Sequence, residues 1–269
     1  MASVAGRGRT ARRDAVSVGS VLARTFGLIG AAPLPVLGLS LLLGAVPHVA
    51  LNWGLASIGQ TAIGSRQLMV TLAGWSGGSV VGIVLSGLVQ GAIALAAVLA
   101  ADGRRAGIGE SLVAALAVLP AILVVSIVSA LGIGFGFILL FVPGMLLATI
   151  WSVAAPAVVV ERLGPFAALS RSRWLTRGHR WTVFGLLTLL LVLSWVASGV
   201  YSSTVLLGFG FHGGGFLTGA RPTVGWAIAS LMYETLTKAV WACAHAALYV
   251  ELRDAREGPG EARLATIFA

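Results

Sequence analysis

The sequence predicts an all-α fold: a polytopic membrane helix bundle of six transmembrane helices and about three interfacial amphipathic helices. Three observations predict it. Hydrophobic residues fill 58% of the 269 positions, charged residues only 10%, and the mean hydropathy is +0.96, whereas a soluble domain carries roughly 25% charged residues. Apolar runs near the roughly 20 residues needed to cross hydrocarbon recur six times. The basic residues fall in clusters between those runs, and the clusters alternate in the way that sets membrane orientation.

Residues 1–13 read as a disordered basic tail ahead of a membrane domain spanning 14–253. Arg12-Arg13 precede an apolar run, but Asp14-Ala15 follow where a twin-arginine signal needs bulky apolar residues, and no small-x-small site closes a short core. The first span is therefore expected to be retained. Val18, Val21, Leu22 and Phe26 recur at helical spacing, with Ser17, Ser20 and Arg24 elsewhere on the wheel, the pattern of a helix lying in the headgroup region. Span one follows at about 26–51 and span two at about 78–101. A second interfacial helix, 109–119, opens on Glu110-Ser111 and presents Leu112, Leu116 and Leu119.

Spans three and four, about 120–140 and 143–160, are nearly continuous, and Val142-Pro143-Gly144 is the turn signal that divides them. Proline suits the first turn of the following helix, where its missing N–H costs nothing. The third interfacial helix, 165–177, sets Phe166, Leu169 and Trp174 beside Ser170, Arg171, Arg173 and Arg177. Spans five and six lie at about 181–203 and 224–250, ahead of a tail from 254 to 269. Each interfacial helix thus precedes a two-span hairpin. Either a distant threefold repeat underlies this, or each helix simply shields a loop.

Fifteen arginines fall on one side of the proposed membrane: before span one, at Arg104 and Arg105, between spans four and five, and in the tail. Only Arg66 and Arg221 fall on the other. The positive-inside rule then places both termini in the cytoplasm. A net charge of +9 raises the question of nucleic acid, but phosphate-backbone binding needs one continuous basic face, and here the basic residues are divided among separate short segments. Anionic lipid headgroups are the expected partners, with Arg171, Arg173 and Arg177 in contact. The predominance of arginine over the single Lys238, with abundant alanine and 36 glycines, suggests a GC-rich bacterial genome and hence the plasma membrane. The lone Cys243 excludes an intrachain disulfide.

Glu234 and Lys238 are the only Asp, Glu, Lys or Arg placed clearly inside a predicted span. Their i,i+4 spacing, Glu first, puts them on one helical face in the favourable order. Such residues usually face the bundle interior or water. They either line a transport path or headgroup pocket, with Gln90 of span two as a partner, or form a neutralised structural pair. Gly78, Gly82 and Ser86, with Gly87 and Gly91 on an adjacent stripe, are read as helix packing. Pro33, Pro35 and Pro156 are read as helix kinks.

Gly74-Trp75-Ser76-Gly77-Gly78 matches a G-x-S-x-G nucleophile elbow and His212-Gly213-Gly214-Gly215 an oxyanion loop, but the hydrolase order is reversed and no outer-loop Asp is available to orient the histidine. Gly208-x-Gly210-x-x-Gly213 fits a dinucleotide spacing without the βαβ setting that gives it meaning. His48, His179, His212 and His245 are scattered, and Cys243 and His245 lie on different helix faces, so no metal and no cofactor is expected.

The stretch Ile138-Leu139-Leu140-Phe141-Val142-Pro143-Gly144, then Ala155-Pro156-Ala157-Val158-Val159-Val160-Glu161, then Ala167-Ala168-Leu169-Ser170-Arg171-Ser172 and Leu175-Thr176-Arg177-Gly178, forms a recognisable pattern. With the ending Ala247-Leu248-Tyr249-Val250-Glu251-Leu252-Arg253, it resembles the membrane domain of bacterial glycerophosphodiester phosphodiesterases and related free-standing membrane proteins. The resemblance implies a six-span bundle without catalytic residues of its own. The phosphodiesterase domain is not expected in this chain, whose Ala269 follows closely on the last apolar run, and the activity is not transferred. The leading expectation is a non-catalytic, lipid-associated accessory or scaffold bundle for a separately encoded protein partner. The alternative is a small transporter or channel whose path is lined by Glu234, Lys238 and Gln90. A lipid hydrolase using Ser76 and His212 is a formal third.

Overall fold

A computed structural model describes residues 16–60, 65–101, 108–208 and 224–258; within them, the side chains of 55–60, 65–80, 100–101, 108, 112, 141 and 206–208 are left aside. All the regular structure among the described residues is helical. Among the described residues, five helical stretches are long and apolar enough to cross a membrane: Pro33–Gly54, Val81–Leu99, Leu119–Leu139, Val142–Glu161 and Arg180–Val205. The chain is a helical membrane protein.

Helix α1 (Val18–Ala31) starts at a capping box in which Ser17 and Ser20 each accept the other's backbone N–H. It ends at Ala32, because the residue before a proline is pushed out of the helical region. Phe26 thus belongs to this first helix, and the apolar span begins at Pro33 rather than at 26. That span comprises α2 (Pro33–Leu39), a π-helical stretch (Ser40–Ala45) and α3 (Val46–Gln60). Pro33 and Pro35 sit in the first turn of α2, so proline marks a helix start there and not a kink within a continuous span.

Helix α4 (Ser65–Ala101) is much longer than the expected 78–101, and its Val81–Leu99 portion is apolar enough to span. Helix α5 (Ile108–Ala117) is the second short helix. The hairpin of α6 (Leu119–Leu139) and α7 (Phe141–Trp151) breaks at Leu140, which is fully extended at φ −165°, ψ 148°. The expected turn at Val142-Pro143-Gly144 is therefore displaced: Pro143 and Gly144 lie inside the first turn of α7. Gly144 has a different role. A Cβ on Gly136 would stand 2.7 Å from Gly144 Cα, an approach that only two glycines permit.

The fourth span is interrupted at Ser152-Val153, after which α8 (Ala154–Glu161) resumes with Pro156 in its first turn. Arg162 closes α8 in the left-handed region, φ 50°. Helix α9 (Pro165–Thr176) is the third short helix, and Gly178 at φ 93° turns the chain into α10 (Arg180–Gly208).

Helix α11 (Val224–Glu257) covers the sixth expected span and continues past the expected tail boundary at 254. It is not among the five stretches that qualify by apolarity. It is nevertheless central: Ala242 through Val250 are buried without a break, so this part of the helix is enclosed on every face. The gradient is instructive. Leu119–Leu139 has the highest mean hydropathy, 2.6, and only 22% of its window is buried inside the protein, as expected of a helix whose outer face is solvated by lipid. A helix surrounded by protein can carry polar groups that lipid would exclude.

The glycine stripe of α4 meets three different helices. A Cβ on Gly87 would press on Ser126 Oγ (2.9 Å) of α6, one on Gly91 would collide with Val159 of α8, and one on Gly82 would touch His48 Nε2 (3.3 Å) of α3. Ser86 is partly buried beside them. Gly78 lies in α4, but its surroundings fall outside the described side chains.

Candidate functional site

A cavity of about 620 Å³ lies among α3, α4, α6, α7, α10 and α11. Its walls include all three of the intramembrane residues expected from sequence, Gln90, Glu234 and Lys238. Lys238 Nζ lies 3.0 Å from Glu234 Oε2, the pair that the i,i+4 spacing requires. The Lys238 stem passes through the space of a missing side chain: a Cβ on Gly44 would lie 2.5 Å from Lys238 Cδ. Gly44 belongs to the π-helical stretch, an arrangement often found at functional sites.

His48 completes the cluster. Its Nδ1 lies 3.4 Å from Glu234 Oε1, so one carboxylate is approached from two sides. Asn52, one turn on, donates from Nδ2 to the His48 carbonyl (2.9 Å) and holds the same nitrogen 3.3 Å from His48 Nε2. Sequence reasoning weighs His48 only as a metal ligand. The signal it carries is simpler: a polar residue inside a predicted span. His245 also lines the cavity, 6% exposed and stacked on Trp241 with ring centroids 5.5 Å apart. Its Nδ1 lies 2.8 Å from the Trp241 carbonyl and must therefore donate, which leaves Nε2 as the acceptor. The Ser129 hydroxyl, among the lining residues, is buried without a hydrogen-bond partner.

Aromatic pairs cluster beyond the charged cluster, toward the start of α11. Trp53 meets Trp226 edge-on at 6.3 Å, Tyr201 stacks on Tyr233 at 4.6 Å, and the Tyr201 hydroxyl bonds Ser230 Oγ at 2.7 Å. Trp241 Nε1 donates to Ser194 Oγ (2.7 Å) and joins α11 to α10.

A second polar assembly occupies the other end of the bundle. Arg171 Nε donates to both Glu161 oxygens, 2.9 Å each, and its Nη2 pairs with Glu257. The Tyr249 hydroxyl donates to Glu161 (2.8 Å), and Arg253 Nε reaches Glu257 (3.3 Å). The Arg171 and Arg256 guanidinium groups both lie over Trp174, at 4.8 and 5.4 Å, while Arg256 also donates to the Arg177 carbonyl. Burial works to lower the Arg171 pKa, but Glu257 and Glu161 outweigh it and raise it above its ordinary value. Ser20 Oγ donates to Glu251 (2.8 Å) and Arg24 faces Asp254 (3.6 Å), tying α1 to α11. Burial pushes the Glu251 carboxyl above its ordinary range despite the Ser20 bond.

This assembly corrects one expected role. Arg171 is held by two carboxylates and an aromatic face rather than presented to headgroups, whereas Arg173 and Arg177 are exposed. The buried face of α9 is Ala168, Leu169, Ser172, Leu175 and Thr176; Phe166 and Trp174 point outward instead. Ser172 explains why a polar residue is buried there: its hydroxyl donates to the Ile150 carbonyl (2.7 Å) and accepts from Val153 N–H (3.3 Å), satisfying the backbone at the break between α7 and α8.

Ser76 lies within continuous helix α4, not at the strand-to-helix turn that a nucleophile elbow requires, and His212 falls outside the described residues. Among the described residues no three His, Cys, Asp or Glu side chains gather as a metal site. Comparison with protein-family models, curated proteins and solved structures returns no match.

Proposed function

We propose that this chain is a six-span protein of the bacterial plasma membrane, with both termini cytoplasmic, that binds a small polar or amphiphilic ligand inside the bundle and moves it across or out of the bilayer. The convergence of His48, Gln90, Glu234 and Lys238 on one cavity carries this reading. His48 and Gln90 belong to helices apolar enough to span, which supports a cluster at membrane depth. A charge placed there costs several kcal/mol unless protein or water compensates it. A structural pair alone requires no adjoining cavity; a binding site does.

Two measurements test it. Ser86→Cys in a Cys243→Ala background is expected to react with a small water-soluble thiol reagent, since Ser86 lines the cavity and is only partly buried whereas Cys243 is fully buried. Glu234→Gln is expected to abolish ligand-driven or proton-driven flux in liposomes. An unreactive thiol at position 86 together with unchanged flux sinks the reading.

A second reading, the accessory or scaffold bundle for a separately encoded partner, is favoured by the face carrying exposed Phe166, Arg173, Arg177 and Trp181. Aromatic and arginine side chains together suit a lipid headgroup layer or a docked protein. Recovery of a stoichiometric soluble partner by the wild-type chain, lost in Arg173→Ser/Arg177→Ser, with no flux, selects this reading over the first.

A further inference from the structure

Resting on the cavity reading above, we propose that the ligand is a single-chain amphiphilic monoanion, bound together with one proton. Its head would lie against Lys238 and His48, and its chain along the apolar wall of the cavity.

The wall supports both halves of that ligand. One side carries the His48–Glu234–Lys238 cluster. The other is built by Ile133, Phe137 and Met145 of the α6/α7 hairpin and by Leu187 and Leu191 of α10. Phe137 and Leu191 line the cavity yet are each 40% exposed, so the apolar side is open rather than sealed. The outer part of α10 continues this exposure through Val192, Trp195 and Val196. The five side chains named offer an acyl chain no charged group. The volume, about 620 Å³, lies within the roughly 300–1,000 Å³ of pockets that enclose molecules of this size.

Charge selects the head. Among the described residues, the titratable groups facing the cavity are His48 from α3 and Tyr233, Glu234, Lys238 and His245 from α11; α4, α6, α7, α8 and α10 contribute none. With both histidines neutral, Glu234 and Lys238 cancel, and an added anion stands uncompensated in a low-dielectric site. With His48 protonated, the cluster carries one positive charge and the anion is neutralised. His48 is placed for this by its Nδ1 facing Glu234; its second proton would sit on Nε2, from which the Asn52 amide nitrogen would have to turn away. His245 is not, since its ring is stacked and buried and no ion pair with a carboxylate reaches it among the described residues. Glu234 is the one ion-pair partner that the described residues give Lys238, and an ammonium has three donors. The unpartnered Ser129 hydroxyl is a further donor. A zwitterion needs no proton, and a cation finds its natural partner, Glu234, already flanked by two donors. The proton therefore accompanies the anion, and affinity must fall as pH rises.

The test uses the full chain in nanodiscs of phosphatidylcholine. Binding of radiolabelled palmitate and of lysophosphatidylglycerol is measured between about pH 5.5 and 8, with lysophosphatidylcholine as the zwitterionic control and acetate as the chainless anion. Whichever anion saturates distinguishes a carboxylate head from a phosphodiester. At least one of the two anions is expected to bind roughly tenfold or more tightly at the acid end than at the basic end, and more tightly than either control. Lys238→Met is expected to lose at least tenfold, His48→Asn to lose the pH dependence, and His245→Asn to keep it. The wild-type comparison stands even where a variant fails to fold. Equal binding of the zwitterion, or anion binding independent of pH, overturns the assignment while leaving the cavity as a binding site. No saturable ligand, together with an unreactive thiol in the Ser86→Cys variant, overturns both.

Discussion

Arg171 is the residue on which the cytoplasmic end of the bundle, as proposed, is assembled. Its Nε spans both oxygens of Glu161 while its Nη2 reaches Glu257, so a planar fork is used where a point charge cannot serve. Arg171→Lys is expected to lower stability by about 1–3 kcal/mol, because one carboxylate loses its partner in a half-buried site. Thermal unfolding in detergent checks this, and Glu161→Gln should lose less, since Gln still accepts from Tyr249. Glu251 is predicted to act in the opposite sense. Its raised pKa means the folded state holds the proton more tightly than the unfolded one, so its contribution is full below the ordinary carboxylate range and is lost as pH rises through the raised pKa. Glu251→Gln, fixed in the neutral form, is expected to melt slightly higher than wild type at neutral pH and to match it at about pH 4. A lower melting point at neutral pH contradicts this.

At the scale of elements, Gly136→Ala is the sharpest probe. The new methyl would stand 2.7 Å from a backbone carbon of Gly144, which no rotamer change relieves. A loss of about 1–3 kcal/mol is expected, as for an overpacked core, with α6 and α7 forced apart; Gly134→Ala, with open space around it, serves as the silent control. Much of this level is legible in the sequence. The apolar runs expected at about 120–140, 143–160 and 181–203 fall on helical stretches, the one at 78–101 lies within the longer α4, and short helices occur where helical spacing expects them. What escapes it has identifiable causes. A run of apolar residues does not reveal where Pro33 restarts a helix, so hydropathy begins the first span at Phe26, too early. Pro143-Gly144 reads as a turn because both residues favour one, yet proline fits equally well in the first turn of α7, and the glycine is there to let Gly136 approach. The buried face of α9 depends on Ser172 satisfying backbone groups of another helix, which no pattern within 165–177 encodes. For the cavity, the i,i+4 spacing identifies Glu234 and Lys238, and Gln90 follows from its place in span two. His48 escapes as a partner because its relation to Glu234 is purely tertiary, joining the first span to the last.

For the whole molecule, the organising fact is the inverse relation between apolarity and burial. Helices that face outward are the oiliest, and the helix at the centre is the one that fails a simple apolarity test. The proposed six-span topology makes a direct prediction: reporters fused to the two ends of the chain should both be active only in the cytoplasm, and opposite results would remove α11 from the set of crossing helices. That helix also bears on biogenesis. Glu234 and Lys238 near the middle of a segment each disfavour entry into lipid from the insertion channel, by roughly 2.5–3.5 kcal/mol on insertion scales, and His245 adds to the burden. Synthesised alone between neutral flanks, α11 should be left outside the bilayer. Within the chain it emerges after the helices that present His48 and the Gly44 recess, which receive its charges. On the proposed six-span reading, membrane integration of α11 is thus templated by the helices before it, so damage at Gly44 or His48 should appear as the end of α11 stranded on the wrong side of the membrane before it appears as lost activity.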